Sequence, residues 1–524
     1  MARVDLVQTD EVFASMTLAQ PETYPVRSTA LPRVEWAGLL AIAAAITLLH
    51  IATNGRYGFH RDELQFLSDA KHLDWGFVAY PPFTPVVERI SMAVFGLSLV
   101  GLRLFSALAQ AAAIVATGLM ARELGGKRLA QVTAALAVAL SPLPMFQGTE
   151  FQYSTFDYLW WTLIALFTVR LLRTGNPRWW MAIGTTVGLG LLTKYSIVFF
   201  IAGILAGVVL SEARRFLKSP WFYASIALAF LICLPNFLWQ VHHQFISYDF
   251  LHYIHLRDVR HGRANGFLID QFRVNVNIVA TPVWIAGLVA LFRSQRYRML
   301  GWMFLVTVAL FYFAKGRGYY TAGAYPMLLA MGAATAERLL GALPRWGRRT
   351  VEGIYFTALA VCGAYIIAIV VPLASSGPLR DFALKNNGDL REEIGWDELV
   401  KTVASIRDSL PAEQRASLGI TDGNYGEHGA IEILGPAYGL PAPIGTTNSA
   451  WLRGYPTPPP TTLIVLGLDE DAANALFTNC RLAGHNGNAE GVRNEESKDH
   501  PDIFVCGPPR QSWQQLWAEN KSFG

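Results

Sequence analysis

The sequence has few charged residues for its length. They make up 16% of the 524 residues, whereas hydrophobic residues make up 52%; soluble domains carry about 25% charged residues. This composition argues against a series of soluble domains, although the length alone would allow three or four. The net charge of +4 does not indicate a nucleic-acid partner, because Lys and Arg lie in short loops rather than on one basic face.

Several familiar signatures are missing as well. The sequence has no Walker A loop, dinucleotide-binding fingerprint, Gly-x-Ser-x-Gly elbow or His-Glu-x-x-His motif. Five histidines lie between residues 242 and 261, but their spacing is not that of a zinc ligand set, so we expect no metal. Residues 1–34 are polar and do not resemble a cleavable signal peptide; we expect a cytoplasmic tail there.

Cysteine is scarce, with four residues in all. Cys233 and Cys362 lie in apolar runs and are most simply packing residues. Cys480 and Cys506 lie in the polar C-terminal region and could form a disulfide if that region is outside the cytoplasm. Their spacing alone leaves the pairing open.

Long apolar runs are what the sequence does have. A bilayer-spanning helix needs about 20 mostly apolar residues. On that basis we predict an α-helical polytopic membrane domain over residues 35–374. Its about eleven spans are 35–53, 102–121, 129–146, 154–171, 179–193, 195–211, 221–240, 277–292, 299–314, 321–340 and 351–373.

The loops between these runs alternate in charge. Five short loops, which begin near residues 122, 170, 214, 293 and 345, each hold three cations. The positive-inside rule places all five in the cytoplasm. The segments 54–101, 147–153, 193–196, 241–276, 315–320 and 375–524 then lie outside. In the last of these, patterns of a strand followed by a helix predict a small extracytoplasmic α/β domain.

The outer loop 54–101 begins with an unusual charge cluster. His60 and Arg61 precede two adjacent carboxylates, Asp62 and Glu63, just beyond a predicted membrane helix. A carboxylate there is suited to accept a proton from a hydroxyl group. An ordinary solvated loop would also explain these charges, and the spacing alone does not decide between the two.

The motifs of this loop and of later segments resemble a known family. The stretch GFHRDELQFLSDAKHLDWGFVAYPPFTPVVERI (58–90) resembles the first periplasmic loop of bacterial family-39 glycosyltransferases, which have the GT-C fold and include protein O-mannosyltransferases and lipid A aminoarabinose transferases. Further pieces follow in the same order. They are FDYLWWTL (156–163), GLGLLTKYS (188–196), LPNFLWQ (234–240), KGRGYYTAGAYPMLLA (315–330), NYGEHGA (424–430) and NSAWLRG (448–454).

This resemblance implies inverting transfer of a sugar from a polyprenyl-phosphate carrier to an acceptor on the outer face. It implies that Asp62 is the base and that Glu63 orients Asp62 or the acceptor. The acceptor could be lipid A, another glycan, a protein hydroxyl or a small lipid, and the sugar also stays open. No cofactor or metal is required. The aminoarabinose transferases carry a Lys where this chain has Tyr80, which departs from that subgroup.

Other polar residues are candidates for the same site. Lys315, Arg317 and Tyr320 form a basic and aromatic cluster on the outer side, against the positive-inside bias, and a lipid phosphate would compensate their charge. An aromatic girdle with cations that extend to the interface is the alternative. The family match adds Lys194 as a phosphate contact, and Tyr80 is a further candidate for the phosphate site, at the position where the aminoarabinose transferases have a Lys. Candidates with other roles are Asp157, an acid near a helix end that assists catalysis, and His60, Arg61 and His243, which contact acceptor or sugar.

Two other classes of function compete with an enzyme. A lipid-carrier transporter or flippase often shows two related halves and ionisable residues at mid-membrane. Here no internal repeat is evident and the polar residues gather at one surface. A non-catalytic assembly protein or receptor is the third possibility. The sequence favours a bacterial inner-membrane enzyme with a cytoplasmic N-terminus and a periplasmic C-terminal domain.

Overall fold

The computed structural model describes residues 31–524, and most of them are helical. The first 30 residues of the expected cytoplasmic tail lie outside this description. The helices of the membrane region are α1 (Trp36–Thr53), α2 (Arg61–Lys71), α3 (Phe83–Phe95), α4 (Leu99–Glu123), α5 (Arg128–Ala139), α6 (Pro142–Gln147), α7 (Tyr153–Thr174), α8 (Trp179–Leu191), α9 (Ile197–Val209), α10 (Pro220–His242), α11 (Ile246–Arg260), α12 (Phe267–Arg273), α13 (Thr281–Arg293), α14 (Arg298–Phe313), α15 (Tyr325–Leu340) and α16 (Arg345–Val370). Short 3-10 helices lie at Glu212–Lys218, Ile278–Ala280 and Gly318–Ala324.

Five of the described helices are long and apolar enough to cross a membrane. They are α1, α4, α7, α10 and α16. Two further candidates are pairs of helices bent at a short break: α9 with Glu212–Lys218, at 99°, and α12 with Ile278–Arg293, at 92°. By length and composition the described chain therefore has five to seven membrane spans.

The structure does not confirm a count of eleven spans. Each predicted apolar run is helical over most of its length, but α5, α8 and α14 have only 12, 13 and 16 residues. At 1.5 Å per residue such helices reach about 18–24 Å, which is less than the roughly 30 Å hydrocarbon core. Hydropathy detects these runs, but breaks such as Ser141-Pro142 end the helices early.

Glycines permit close contact between helices of the bundle. A Cβ atom on Gly332 of α15 would lie 1.9 Å from the carbonyl oxygen of Val283 in α13, and one on Gly287 of α13 would lie 2.0 Å from that of Leu328. Small residues are the usual solution where membrane helices pack backbone to backbone.

Charged residues gather at the end of the bundle opposite to Asp62. Glu123 at the end of α4 contacts Arg122, Arg170 and Arg173, with N–O distances of 3.5, 3.2 and 2.6 Å. These cations come from two loops for which the sequence predicts the same, cytoplasmic side. Their shared contact with one carboxylate agrees with that grouping.

The C-terminal region, residues 375–524, contains the β-sheet. Its strands are β1 (Leu418–Asp422), β2 (Pro443–Gly445), β3 (Thr462–Val465), β4 (Arg481–His485) and β5 (Asp502–Cys506), in the order β2-β1-β3-β5-β4. The pairs β1–β2 and β1–β3 are parallel, and β3–β5 and β4–β5 are antiparallel. Cys480 and Cys506 form a disulfide, which agrees with an oxidising compartment.

The same region also contains eight α-helices. They are α17 (Pro378–Asn386), α18 (Trp396–Ser409), α19 (Ala412–Ala416), α20 (Tyr425–Leu434), α21 (Ser449–Leu452), α22 (Glu470–Leu476), α23 (Glu495–Asp499) and α24 (Trp513–Glu519), with 3-10 helices at Asp389–Arg391 and Gly435–Tyr438. The strand-helix pairs β1-α20 and β3-α22 lie in the stretches that the sequence patterns indicated. Helix α20 packs against α2 of the first outer loop, so the C-terminal region adjoins Asp62.

Candidate active site

Asp62 lies in the first turn of α2, and the residues around it form that turn. The ring Nδ1 of His60 accepts a hydrogen bond from the Asp62 backbone N–H at 3.2 Å, and the Glu63 carboxylate accepts one from the His60 backbone N–H at 2.8 Å. These bonds satisfy N–H groups that a helix start leaves without partners. The helix N-terminus also favours a negative charge at Asp62.

Two side chains hold the Asp62 carboxylate. The Gln152 amide donates to one oxygen at 2.9 Å, and the Tyr425 hydroxyl donates to the other, also at 2.9 Å. Burial opposes ionisation of this group, but His60, the Gln152 hydrogen bond, Arg61 and Tyr425 outweigh it and lower the pKa of Asp62. Asp62 is therefore an ionised carboxylate with a fixed orientation.

Asp62 lines a cavity of about 580 Å³. Each of the six predicted outer segments contributes residues to its wall. Examples in chain order are Asp62, Gln152, Lys194, Arg257, Arg317 and Tyr425. The cavity thus joins segments that lie far apart in the sequence, from His60 to Gly524.

Part of the cavity wall is basic and aromatic. The Lys194 ammonium lies among three tyrosine rings, at 4.1 Å from the centroid of Tyr320, 5.1 Å from that of Tyr153 and 5.9 Å from that of Tyr319. Such contacts stabilise a cation without neutralising it. Lys194 can therefore still pair with an anion in the cavity.

Arg317 also faces the cavity, but it has a partner of its own. Its guanidinium binds both oxygens of Asp258, at 2.6 and 2.8 Å, and Arg263 reaches the same carboxylate at 3.4 Å. Arg257 lines the cavity beside them, and its Nε is buried with no hydrogen bond within residues 31–524. This wall holds more positive than negative charge.

Tyr80 reaches the cavity next to Asp62. Its hydroxyl donates to Asp69, one of the buried carboxylates of α2. Burial, together with Asp69, holds the pKa of Tyr80 well above its usual value, so the phenol stays neutral. Arg453 of the C-terminal region binds the other Asp69 oxygen at 2.5 Å.

The structure does not bring every predicted residue to the cavity. Glu63 is fully buried, binds Arg103 through two hydrogen bonds of 2.8 Å and accepts the Phe151 N–H at 2.7 Å, so it can orient the Asp62 turn but not touch a ligand in the cavity. Arg61 is buried against Glu495 and Glu496. Lys315 is exposed outside the cavity.

Two other candidates do not line the main cavity. Asp157 lines a small pocket behind Lys194 and accepts a hydrogen bond from the Trp161 indole at 2.9 Å. His243 stacks on Trp239 at 4.0 Å between ring centroids and bonds the Trp239 carbonyl, away from the cavity. Within residues 31–524, no group of three or more His, Cys, Asp or Glu side chains is arranged to hold a metal ion.

Comparison with known proteins gives a consistent picture. Residues 79–239 match the family model described as dolichyl-phosphate-mannose-protein mannosyltransferase. The lipid A galacturonosyltransferase RgtD of Rhizobium johnstonii is 25% identical over 266 residues, which cover 48% of this chain and 54% of that one. An undecaprenyl phosphate-α-4-amino-4-deoxy-L-arabinose arabinosyl transferase of Pseudomonas fluorescens is 27% identical over 272 residues, 48% of each chain. The chain thus matches about half the length of these relatives.

Solved structures extend the likeness to the whole architecture. ArnT from Cupriavidus metallidurans has a TM-score of 0.56 in its apo state, with 14% identity, over 89% of this chain and 97% of that one. Its complex with undecaprenyl phosphate gives 0.54, with 14% identity, over 90% and 98%. The chain thus has the GT-C fold, and its sequence is similar to that of glycosyltransferase family 39 proteins.

Several cavity residues of this GT-C protein were not candidates from its sequence. Tyr425 lies in a motif that the family resemblance had marked, but nothing local connects it with Asp62, which is 363 residues away. Gln152 and Arg257 lie in predicted outer loops, where a single amide or Arg is unremarkable in sequence. Glu150 lines the cavity as a buried carboxyl whose pKa burial raises well above its usual value.

Proposed function

We propose that this protein is a membrane glycosyltransferase that moves a sugar from a polyprenyl-phosphate carrier to a cell-envelope acceptor such as lipid A. The supporting observation is the cavity in which an oriented carboxylate, Asp62, shares a wall with the cations Lys194 and Arg257. Sugar transfer from a lipid phosphate to a hydroxyl group uses both groups, because a proton must leave the hydroxyl while negative charge develops on the phosphate. The named relatives transfer galacturonic acid or aminoarabinose.

The mechanism is a direct, inverting displacement. The acceptor oxygen attacks the anomeric carbon, the bond from that carbon to the phosphate oxygen breaks, and Asp62 takes the hydroxyl proton. Because the pKa of Asp62 is low, this proton transfers only once the attacking oxygen has become strongly acidic in the transition state. An acceptor phosphate, already ionised, would attack without that transfer.

The released polyprenyl phosphate stays bound to the basic wall. Lys194 and Arg257 would carry most of its charge, since Arg317 already binds Asp258. Tyr320 and Tyr80 complete the wall, and His60 lies beside Asp62 for contacts with acceptor or sugar. No metal is needed where these cations stabilise the leaving group.

The proposed orientation follows the charge of the loops. The short basic loops face the cytoplasm, and the cavity and the C-terminal region face the periplasm of a bacterial inner membrane. About eleven helical segments form the membrane domain, 35–374, of which the shorter ones cross only part of the bilayer. The C-terminal region, 375–524, is its periplasmic domain.

The test uses the full chain in lipid vesicles. Lipid A is offered with undecaprenyl phosphate-α-4-amino-4-deoxy-L-arabinose or with a polyprenyl-phosphate galacturonic acid, and mass spectrometry follows sugar transfer. A third reaction uses envelope lipids from cells lacking the protein, which supply the native donor and acceptor. Asp62→Asn is expected to lower the rate roughly 10²–10⁴-fold, the usual contribution of a general base.

Asp381→Asn is the matched control, because Asp381 is an exposed carboxylate that does not line the cavity. It is expected to transfer at the wild-type rate. An Asp62→Asn protein that also does so would disprove the assignment of the base. Movement of lipid carrier between leaflets without any sugar transfer would instead favour the flippase.

A further inference from the structure

The motifs NYGEHGA (424–430) and NSAWLRG (448–454) have no role in the mechanism as described so far. Both lie in the C-terminal region, outside the membrane helices, yet both contact α2, the helix that carries Asp62. Tyr425 bonds Asp62 directly, and Arg453 bonds Asp69, about two turns further along α2. The first contact bears on the reaction itself.

Helix α20 approaches α2 closely because two of its residues have no side chain. A Cβ atom on Gly429 would lie 2.5 Å from the backbone carbonyl of Leu64 in α2. One on Gly426 would lie 2.8 Å from Trp396 and 3.2 Å from the Cβ of Arg61. This spacing brings the Tyr425 hydroxyl within hydrogen-bond distance of Asp62.

Two sets of contacts fix the Tyr425 ring: the cap at the start of α20 and the guanidinium of Arg61. The Asn424 side chain caps α20, accepting the N–H groups of Gly426 and Glu427 at 2.9 and 3.0 Å. The Arg61 guanidinium lies 4.6 Å from the ring centroid and is itself held by Glu495 and Glu496 of α23. A phenol held in this way cannot turn away from the carboxylate without breaking those contacts.

We propose that Tyr425 is a positioning residue for the reaction, which fixes the Asp62 carboxylate by a hydrogen bond supplied from the C-terminal region. This inference rests on the proposed function of Asp62. The Tyr425 and Gln152 bonds occupy one position on each carboxylate oxygen and leave the remaining lone pairs for the acceptor proton. The C-terminal region then completes the active site rather than only covering it.

Removing the Tyr425 hydroxyl changes both orientation and protonation. Asp62 would be free to rotate about one remaining bond, to Gln152, and its ionised form would lose a donor. The charged and titratable groups that face Asp62 from the surrounding elements are His60, Arg61, Tyr153, Tyr425 and Glu496. Tyr425→Phe removes only the hydroxyl and keeps the ring beneath Arg61.

The experiment compares Tyr425→Phe with Tyr438→Phe. The Tyr438 hydroxyl also donates to a carboxylate, Asp397, at 3.0 Å, but on the exposed surface of the same region. Sugar transfer is measured with envelope lipids from cells lacking the protein, at pH values from about 2 to 8, so that the series includes the lowered pKa of Asp62. We expect Tyr425→Phe to lower kcat about tenfold with little change in KM for the donor. On the acid side of the pH–rate profile, the pH at which the rate of Tyr425→Phe falls to half should be about one unit higher than in the wild type.

A second measurement does not depend on turnover. Asp62 is labelled with a carbodiimide and an amine over the same pH range, and peptide mass spectrometry gives the midpoint of its protonation. That midpoint is expected to rise by about one unit in Tyr425→Phe and to stay at the wild-type value in Tyr438→Phe.

The outcomes separate this inference from the proposed function. If Asp62→Asn abolishes transfer while Tyr425→Phe keeps the wild-type rate, pH–rate profile and labelling midpoint, the positioning role is wrong and the base assignment stands. If Asp62→Asn transfers normally but the labelling midpoint still rises in Tyr425→Phe, the contact holds and the proposed base is wrong. A fall in kcat with no change in the shape of the pH–rate profile or in the labelling midpoint would mean that Tyr425 is merely structural.

Discussion

Lys194 and Lys315 are both candidates for the phosphate site from the sequence, but their environments in the structure differ. Lys194 lies inside the cavity among three tyrosine rings, and no carboxylate within residues 31–524 forms a salt bridge with it. Lys315 is exposed and outside the cavity lining. The partly desolvated cation has more to gain from a phosphate than one that water already solvates.

We therefore expect Lys194→Met to weaken the binding of undecaprenyl phosphate roughly tenfold or more, the usual size of a charge-assisted contact. Lys315→Met should leave affinity within about twofold. Native mass spectrometry with increasing undecaprenyl phosphate measures both dissociation constants. Equal losses in the two variants would contradict the position of the phosphate at Lys194.

At the same scale, the sequence alone could not show which of Asp62 and Glu63 faces the cavity. Their adjacency marked the loop as unusual, and the family resemblance chose Asp62 as the base. The division of roles depends on Arg103, which lies in α4 and binds Glu63 in the interior. Adjacent residues in a helix point about 100° apart, so one carboxylate can face the cavity while the other lies buried. Which one does so is decided by a tertiary contact that the sequence does not display.

At the scale of elements, the contact between α2 and α20 leaves no space for a side chain at residue 429. The strand followed by a helix around residues 418–434 was predictable from the sequence pattern. The partner of α20 was not predictable, because Gly429 can serve as a simple helix residue or as a point of close approach. In the structure the Leu64 backbone occupies the space where a side chain at 429 would lie.

Gly429→Ala is expected to destabilise the protein by about 1–3 kcal/mol, as overpacking usually does, and to lower its melting temperature in detergent. Gly353→Ala is the control. Gly353 lies inside α16, and no atom comes within 4 Å of an added Cβ. There alanine should stabilise the helix by up to about 1 kcal/mol. If both variants melted at or above the wild-type temperature, the contact between α2 and α20 would be looser than the structure shows.

At the scale of the whole molecule, the grouping of the loops was the most predictable feature. The six segments assigned to one side from charge alone all line the same cavity. Charge bias acts on each loop separately, so it can be summed along a sequence. The exact number of spans was not predictable in this way, because hydropathy measures composition, whereas helix length depends on breaks such as the one between α5 and α6.

A buried charge network joins the two parts of the molecule. His428 bonds Asp422 at 2.8 Å. Glu432 accepts hydrogen bonds from Arg453 at 3.1 Å, from Ser68 of α2 and from His72, the residue that follows α2. Burial opposes the charge on His428, but Asp422 and Glu432 outweigh it and raise its pKa to about 9. Burial likewise opposes ionisation of Glu432, yet hydrogen bonds from His428 and His72 and the charge of Arg453 lower its pKa.

These two shifts make the attachment of the C-terminal region depend on pH in opposite directions. The raised pKa of His428 stabilises the folded state fully below its unfolded value of about 6.5, and that contribution is lost as pH rises through about 9. The lowered pKa of Glu432 contributes throughout this range and is lost only in acid. We therefore expect the melting temperature of the wild-type protein to fall between pH 6.5 and 9.

His428→Gln should reduce that fall, while it lowers stability at pH 6.5; buried carboxyl groups whose pKa is raised, such as Glu150 and Glu393, contribute the remainder. His485→Gln is the matched control, since His485 bonds a carboxylate, Asp502, on the exposed surface. Thermal unfolding in detergent at half-unit pH steps gives the slope for each protein. A slope that stays unchanged in His428→Gln would show that other groups, and not this histidine between the sheet and α2, set the alkaline limit of stability.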